Sequence, residues 1–300
     1  VTQFMNAVIG ALPNNVVPAE SDVRDMATRM RLAIPLDDLS FDEAMRLLQE
    51  RLHIVMDVGT YLAAREHVPW LNARKPEIDP YYWQRHRDWL LKEGRPPQVV
   101  YTLDQVTDDI LDLMGNPAAA PPWSRRGLVM GDVQSGKTGT YTALASKAAD
   151  AGYRLIILLT GSLENLRRQT QERMDEGFVG FDSSGKLSAK VVQHRVGVGV
   201  LDARHGAGAF TSRTRDFNRQ LLEQLGFRLA AYSEPVLFVI KKNRSILDNI
   251  ENWLRALNAD ADGRISASML MIDDEADSAS INTSSNDHNP TSINRSLRSL

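Results

Sequence analysis

The hydrophobic positions in the first third of the chain recur at helical spacing. After Ser40 and Glu43, which form a capping-box pattern, apolar residues such as Ala44 and Leu48 fall on one face of a helix. Similar spacing continues until a Pro-rich connector, "GRPPQ", interrupts it. The pattern predicts a helical N-terminal region over residues 1–95.

An aromatic stripe within this region admits two interpretations. Tyr82, His86 and Trp89 share one helical face, and Arg85 and Arg87 lie beside them. A surface that stacks nucleic-acid bases, with arginines on the phosphates, would use such a face. A buried aromatic stripe flanked by solvated arginines is the commoner structure for this pattern, and we expect it here.

After residue 126 the pattern changes to short apolar runs that alternate with helical segments. The apolar runs lie at 127–130, 153–160, 235–240 and 269–272. Strands that alternate with helices predict a parallel sheet covered by helices on both faces. Residues 177–233 are less regular and rich in Gly and Ser, so we expect an insertion there. The sequence thus predicts an α/β domain over residues 96–300.

A glycine-rich loop follows the first apolar run and fits the phosphate-loop motif G-x-x-x-x-G-K-[ST] at every fixed position. Its glycines let backbone N–H groups point at phosphate oxygens. Lys137 would lie on the β- and γ-phosphates, and the Thr138 hydroxyl would bind Mg²⁺. The motif therefore predicts that the protein binds ATP with Mg²⁺. The predicted cofactor-binding residues are Gly131, Asp132, Val133, Gln134, Ser135, Gly136, Lys137 and Thr138.

An acidic cluster directly follows the last apolar run, in the stretch "MLMIDDEAD". Ligands bind at the carboxyl ends of the strands in open α/β sheets, so such a cluster can share a site with a phosphate loop. Of the adjacent Asp273 and Asp274, we assign the Mg²⁺ contact to Asp274, directly before Glu-Ala-Asp. Glu275 would polarise the attacking water. The sequence predicts an ATPase in which Lys137 and Glu275 are catalytic.

Composition narrows the function further. The net charge of −3 gives no overall attraction to nucleic acid, and the absence of cysteine excludes disulfides and thiolate metal sites. The six histidines lack metal-ligand spacing. No apolar run approaches the length of a membrane span. We expect a cytoplasmic protein with no membrane partner.

The motifs resemble a known family. "DEAD" is similar to motif II of superfamily-two helicases, and Leu166 with Gln169 falls where that superfamily has the L-x-x-Q of motif Ia. The pair "VQSGKT" and "DDEADSASINT", together with "VIKKN", resembles the Z-one domain family, which carries an endonuclease label and is linked to superfamily-two helicases and MORC-type ATPases of bacterial defence. The resemblance covers about 80–300.

This resemblance implies a RecA-like phosphate-loop lobe in a helicase-like or translocase-like protein. Such a protein would act on DNA within a restriction or anti-phage system, with other defence subunits as possible partners. No nuclease motif in the sequence supports the endonuclease label. The alternative function is a nucleotide-gated switch or assembly ATPase without a nucleic-acid role. The residues expected to contact DNA in the first case are Thr160, Gly161, Ser162, Gln169, Lys241 and Lys242.

Two elements of the superfamily have no counterpart in the sequence. These are the T-A-T-P stretch equivalent to motif III and the second RecA-like lobe, which carries the arginine finger. We therefore expect the chain to be the N-terminal part of a longer protein, and to bind ATP but hydrolyse it poorly by itself.

Overall fold

The structure is a computed structural model that describes residues 1–12, 20–52, 61–120, 123–130, 137–184, 194–224, 226–278, 280–284 and 290–300. The chain forms two compact units. The first unit comprises Val1–Glu77 and Arg87–Leu144, and the second comprises Ile78–His86 and Ala145–Leu300.

Helices make up the described part of the first unit. The helices that precede the sheet in the chain are α1 (Thr2–Ala11), α2 (Glu20–Ala33), α3 (Asp38–Leu52), α4 (Leu71–Arg74), α5 (Tyr81–Lys92), α6 (Pro97–Leu113) and α7 (Lys137–Ala151). The unit bounds divide α5 and α7, and the other five helices belong to the first unit. Phe4 and Val8 of α1 pack with Val23 of α2 and Leu48 of α3. Among the described residues, no helix combines the length and the apolar character that a membrane crossing requires.

The start of α3 differs from the predicted capping box. The helix begins at Asp38, so Ser40 lies inside its first turn. The Asp37 carboxylate accepts hydrogen bonds from the Ser40 amide at 2.9 Å and from the Ser40 hydroxyl at 2.7 Å. Asp37 therefore takes the capping role that the prediction gave to Ser40.

A parallel sheet organises the second unit. Its described strands are β1 (Leu155–Thr160), β2 (Gly208–Ala209), β3 (Val236–Lys241) and β4 (Met269–Asp273), in the spatial order β2-β3-β1-β4. All three pairings are parallel, which confirms the predicted α/β class. The accompanying helices are α8 (Glu164–Met174), α9 (Val198–Leu201), α10 (Arg219–Gln224), α11 (Arg244–Asn258) and α12 (Ser292–Ser299).

β1 lies between β3 and β4 in the sheet. Every residue of β1 is buried, as expected for a continuous apolar run in a parallel sheet. Leu155 is in register with Val236 on one side and with Met269 on the other. The carboxyl ends of β3, β1 and β4 therefore lie side by side, and we call this border of the sheet the carboxyl edge.

The core of the second unit centres on Trp253. This side chain is fully buried on the apolar face of α11, as the helical spacing predicts. Phe227 stacks on it with ring centroids 5.8 Å apart and planes 8° apart, and Phe217 packs edge-on. Phe217 and Phe227 both come from the predicted insertion. That segment also contributes β2, so it is part of the core rather than an appendage.

The apolar run at 127–130 is not a strand, contrary to the prediction. Leu128, Val129 and Met130 are 75%, 62% and 86% exposed. The segment has no regular secondary structure and pairs with no strand in the described structure. A four-residue apolar run becomes a strand only where a neighbour accepts its hydrogen bonds, and hydrophobicity alone does not reveal that neighbour.

The start of α5 confirms the buried interpretation of the aromatic stripe. Tyr82 and His86 are buried, and the Tyr82 hydroxyl donates to Oε2 of Glu234 at 2.8 Å. Arg85 is also buried, contrary to the expectation of a solvated arginine, and it donates to the main-chain carbonyl of His205 at 2.9 Å. The Arg85 guanidinium is therefore bound within the second unit and does not face solvent, where a phosphate could reach it.

Asp150, in the last turn of α7, caps the N-terminus of α5 although the two helices are far apart in the sequence. Its carboxylate accepts hydrogen bonds from the amides of Tyr82 and Trp83, at 2.8 and 2.9 Å. Burial nevertheless raises the pKa of Asp150 from 3.8 to about 7. The folded protein thus holds this proton more tightly than the unfolded chain, so the contribution to stability falls as pH rises from 4 to 7.

We predict that Asp150→Asn flattens the pH dependence of the free energy of unfolding. Between pH 5 and 6.5, the free energy of unfolding of the wild type should fall by up to about 1.4 kcal/mol per pH unit because of this one proton. The variant should lack this contribution. Urea titrations of wild type and variant across this range measure the difference. The exposed Asp262→Asn serves as the control. An unchanged slope in Asp150→Asn would show that Asp150 ionises normally in the folded protein.

Candidate functional site

The predicted phosphate loop lies directly before α7. Residues 131–136 lie outside the described residues, and so do the side chains of Lys137 and Thr138. The backbones of these two residues form the first turn of α7. A helix N-terminus directly after the loop is the context that favours a bound phosphate. The motif therefore has its expected helix but lacks the strand expected at 127–130.

The acidic residues that follow β4 form a closed turn at the carboxyl edge. We call residues 273–278 the acidic turn. The Asp274 amide donates to the carbonyl of Leu159 at 2.9 Å, so pairing with β1 continues past the end of β4. The Ser278 amide donates to the Glu275 carbonyl at 2.9 Å and closes the turn. Asp273 and Asp274 are half-buried, whereas Glu275 is exposed.

Glu275 has an unusual backbone conformation. Its φ is +56°, and no other non-glycine residue in the described part of the chain has a positive φ. This left-handed conformation costs a residue with a Cβ about 1 kcal/mol or more. Strain of this size persists only where the surroundings hold the backbone in place, and it is common at functional sites.

Gly161 leaves room for the Glu275 carboxylate because it has no side chain. Gly161 is the first residue after β1, and a Cβ built on it would lie 3.0 Å from Oε2 of Glu275 and 2.9 Å from Cδ1 of Leu166. Any larger residue at this position would press on the carboxylate. The missing side chain at position 161 therefore helps to decide where the predicted general base points.

Lys242 is buried beneath the acidic turn, with 4% of its surface exposed. Its ammonium donates to the main-chain carbonyls of Glu275 and Ser278, at 2.5 and 3.2 Å. It also lies 2.9 Å from Oδ1 of Asp273, in an ion pair that lacks hydrogen-bond geometry. The predicted contact of Lys242 with DNA would therefore require the acidic turn to release the ammonium.

Lys241 is half-buried and belongs to a charge network separate from the acidic turn. Its ammonium lies 2.8 Å from Glu164 and 3.9 Å from Asp216. Glu164 also binds Arg167 at 2.7 Å. The Arg167 hydrogen bond, with a further contribution from Lys241, lowers the pKa of Glu164 to about 2. A phosphate could contact Lys241 only in competition with these carboxylates.

The remaining residues predicted to contact DNA differ in accessibility. Thr160 and Gly161 are buried, and the Thr160 hydroxyl donates to the carbonyl of Ile240 at 3.2 Å. Ser162 and Gln169 are exposed. Of the predicted set, these two polar residues are the ones that a ligand can reach without rearrangement of the carboxyl edge.

Arg167 is a structural residue of this edge that the sequence did not reveal. It is fully buried, and it donates to the carbonyl of Ser212 at 2.8 Å as well as to Glu164. It thereby ties α8 to the loop that follows β2. Almost every residue of α8 is polar, so no hydrophobic periodicity distinguishes the buried arginine from its exposed neighbours.

The acidic turn can supply a metal ligand but not a complete metal cage. Among the described residues, no group of three or more potential ligands could hold a metal ion. Mg²⁺ that arrives with a nucleotide needs only one or two carboxylates, because phosphates and waters fill the other positions. Lys242 partly neutralises Asp273, so Asp274 remains the freer carboxylate of the pair.

Comparison with protein-family models, curated proteins and solved structures finds no match to this chain. The resemblance to superfamily-two helicases and to the Z-one domain family therefore stays a prediction from the motifs.

We predict that Gly161→Ala displaces the Glu275 carboxylate while the fold survives. The new methyl group would meet the ends of two flexible side chains rather than main chain. The midpoint of thermal unfolding should therefore shift by no more than about 2–4 °C, which corresponds to about 1 kcal/mol for a unit of this size. ATP hydrolysis should fall about tenfold or more, because a misplaced base loses its alignment.

Gly10→Ala is the matched control, since a Cβ at Gly10 meets no atom within 4 Å. Full ATP turnover in Gly161→Ala would contradict the role given to the position of Glu275.

Proposed function

We propose that this chain is the ATP-binding and ATP-hydrolysing lobe, RecA-like in fold, of a DNA helicase-like or translocase-like protein. The observation that carries the proposal is the acidic turn. It follows a strand at the carboxyl edge of a parallel sheet, with its Glu275 in a conformation that the surroundings must enforce. The complete phosphate-loop motif ahead of α7 is the second support.

The residues would divide the chemistry as follows. The loop Gly131–Gly136 and Lys137 bind the phosphates, and Thr138 and Asp274 hold Mg²⁺. Glu275 accepts a proton from water as the water oxygen bonds to the γ-phosphorus. The bond between that phosphorus and the β–γ bridging oxygen breaks, and the electron pair leaves with ADP. Mg²⁺ supplies charge neutralisation on the phosphate oxygens when it is bound.

Action on DNA is the further part of this proposal. It rests on the similarity of "DEAD" and the L-x-x-Q pattern to superfamily-two motifs, and Ser162 and Gln169 are both exposed. A place in a cytoplasmic restriction or anti-phage system, with an associated endonuclease, rests on the resemblance to the Z-one domain family alone.

A nucleotide-gated switch or assembly ATPase is the second candidate. The two lysines favour it: Lys242 is buried in the acidic turn, and Lys241 is paired with Glu164. The net charge of −3 also gives DNA no general attraction. Both candidates use the same nucleotide site, so ATP binding alone does not separate them.

We predict that Lys137→Ala weakens ATP binding about 10- to 100-fold, because the ammonium contact to the phosphates is lost.

Glu275→Gln should instead keep ATP affinity and lower ATP turnover about 100-fold or more, since the amide cannot accept the proton. Equilibrium titration and single-turnover hydrolysis measure the two effects. The exposed Lys92→Ala is the control. Unchanged ATP affinity in Lys137→Ala would remove the phosphate-loop assignment.

DNA should increase ATP turnover if the lobe belongs to a translocase. We predict stimulation by single- or double-stranded DNA that weakens as salt rises, as phosphate contacts require. Heparin of similar charge should not reproduce it. Turnover that does not respond to either DNA would favour the switch or assembly ATPase.

A further inference from the structure

Three neighbouring strand ends bring Gly161, Lys242 and Glu275 to one level of the carboxyl edge. Thr160 pairs with Lys241, and Leu159 pairs with Asp273. Gly161 and Lys242 each follow a paired residue directly, and Glu275 lies two residues beyond Asp273. β1 lies between β3 and β4, so Lys242 and the acidic turn are separated by two strand spacings, roughly 10 Å.

The Lys242 side chain spans this separation beneath the turn. Its ammonium donates hydrogen bonds to the main-chain carbonyls of Glu275 and Ser278. These two residues begin and end the turn that the Ser278 amide closes. Both contacts are to main chain, so they fix the peptide group that directly follows Glu275, whose φ is strained, and the peptide group that follows Ser278. The contact with Asp273 fixes the beginning of the same turn.

We infer that Lys242 is a positioning residue for Glu275, and this inference rests on the proposed ATPase function. A charged hydrogen bond to each of two carbonyls is strong enough to offset the cost of the left-handed backbone. Gly161 leaves room for the carboxylate, and Lys242 holds the main chain that carries it. Neighbouring lysines thus have separate roles, with Lys241 in the Glu164 network and Lys242 in the acidic turn.

The test compares Lys242→Met, which keeps the length of the side chain but removes its charge, with Lys241→Met as the matched control. Lys242→Met should raise amide hydrogen exchange in residues 273–278 about tenfold or more. Its single-turnover ATP hydrolysis should fall about 10- to 100-fold, while ATP affinity stays within about threefold. Lys241→Met should leave exchange in the acidic turn unchanged.

Lys242→Arg provides a second variant that retains the charge. Its exchange and turnover should lie between those of wild type and Lys242→Met, and it carries the test if the Met variant does not fold. If Lys242→Met folds and amide hydrogen exchange in its acidic turn is unchanged, the inference is overturned, regardless of the effect on ATP turnover. A loss of ATP affinity as large as the loss of turnover also overturns it, because Lys242 would then contact the nucleotide.

Failure of the proposed function is visible separately. Wild-type protein that binds no ATP would remove the ATPase proposal before any variant is compared. The hydrogen-exchange result would still decide whether Lys242 holds the acidic turn.

Discussion

The in-register pairing of β1 with β3 and β4 fixes where the candidate functional residues of the second unit lie. Because the three strands run parallel from the level of Leu155, they end together, and each contributes its next residues to the same edge. This register places Gly161, Lys242 and the acidic turn within contact distance. A shift of one residue in β4 would reverse the facing of its side chains and would separate Lys242 from the carbonyls that it holds.

Electrostatics explains why the edge needs a buried lysine. Four carboxylates lie within residues 273–277, and their mutual repulsion opposes a tight turn. Burying an ammonium is costly unless charge and hydrogen-bond acceptors compensate for the lost water. Lys242 finds one carboxylate and two main-chain carbonyls. The lysine and the turn therefore depend on each other, which is consistent with a rigid conformation at Glu275.

Sequence patterns predicted the features that depend on local composition. The buried apolar runs of β1 and β3, and the amphipathic face of α11 around Trp253, follow from hydrophobic spacing alone. The run of β4 also forms a strand, but Leu270 is its one buried residue. The strand at 127–130 was predicted wrongly, because a short apolar run does not carry information about its pairing partner.

The roles of Lys242, Gly161 and Arg167 could not be predicted, because each depends on contacts between distant segments. Adjacent lysines at the end of a strand look alike in a sequence, yet the register gives one to Glu164 and the other to the acidic turn. A glycine after a strand is equally ambiguous until the Glu275 carboxylate is seen against it.

The proposed function requires that the acidic turn and the phosphate-loop residues bind the same Mg²⁺–nucleotide. The most direct measurement is the affinity for ATP with and without Mg²⁺, in wild type and in Asp274→Asn, with the exposed Asp262→Asn as control. The proposal predicts that Mg²⁺ strengthens ATP binding to wild type and to the control, that Asp274→Asn loses most of this gain, and that its affinity for metal-free ATP is unchanged. An identical Mg²⁺ gain in Asp274→Asn would contradict the proposal.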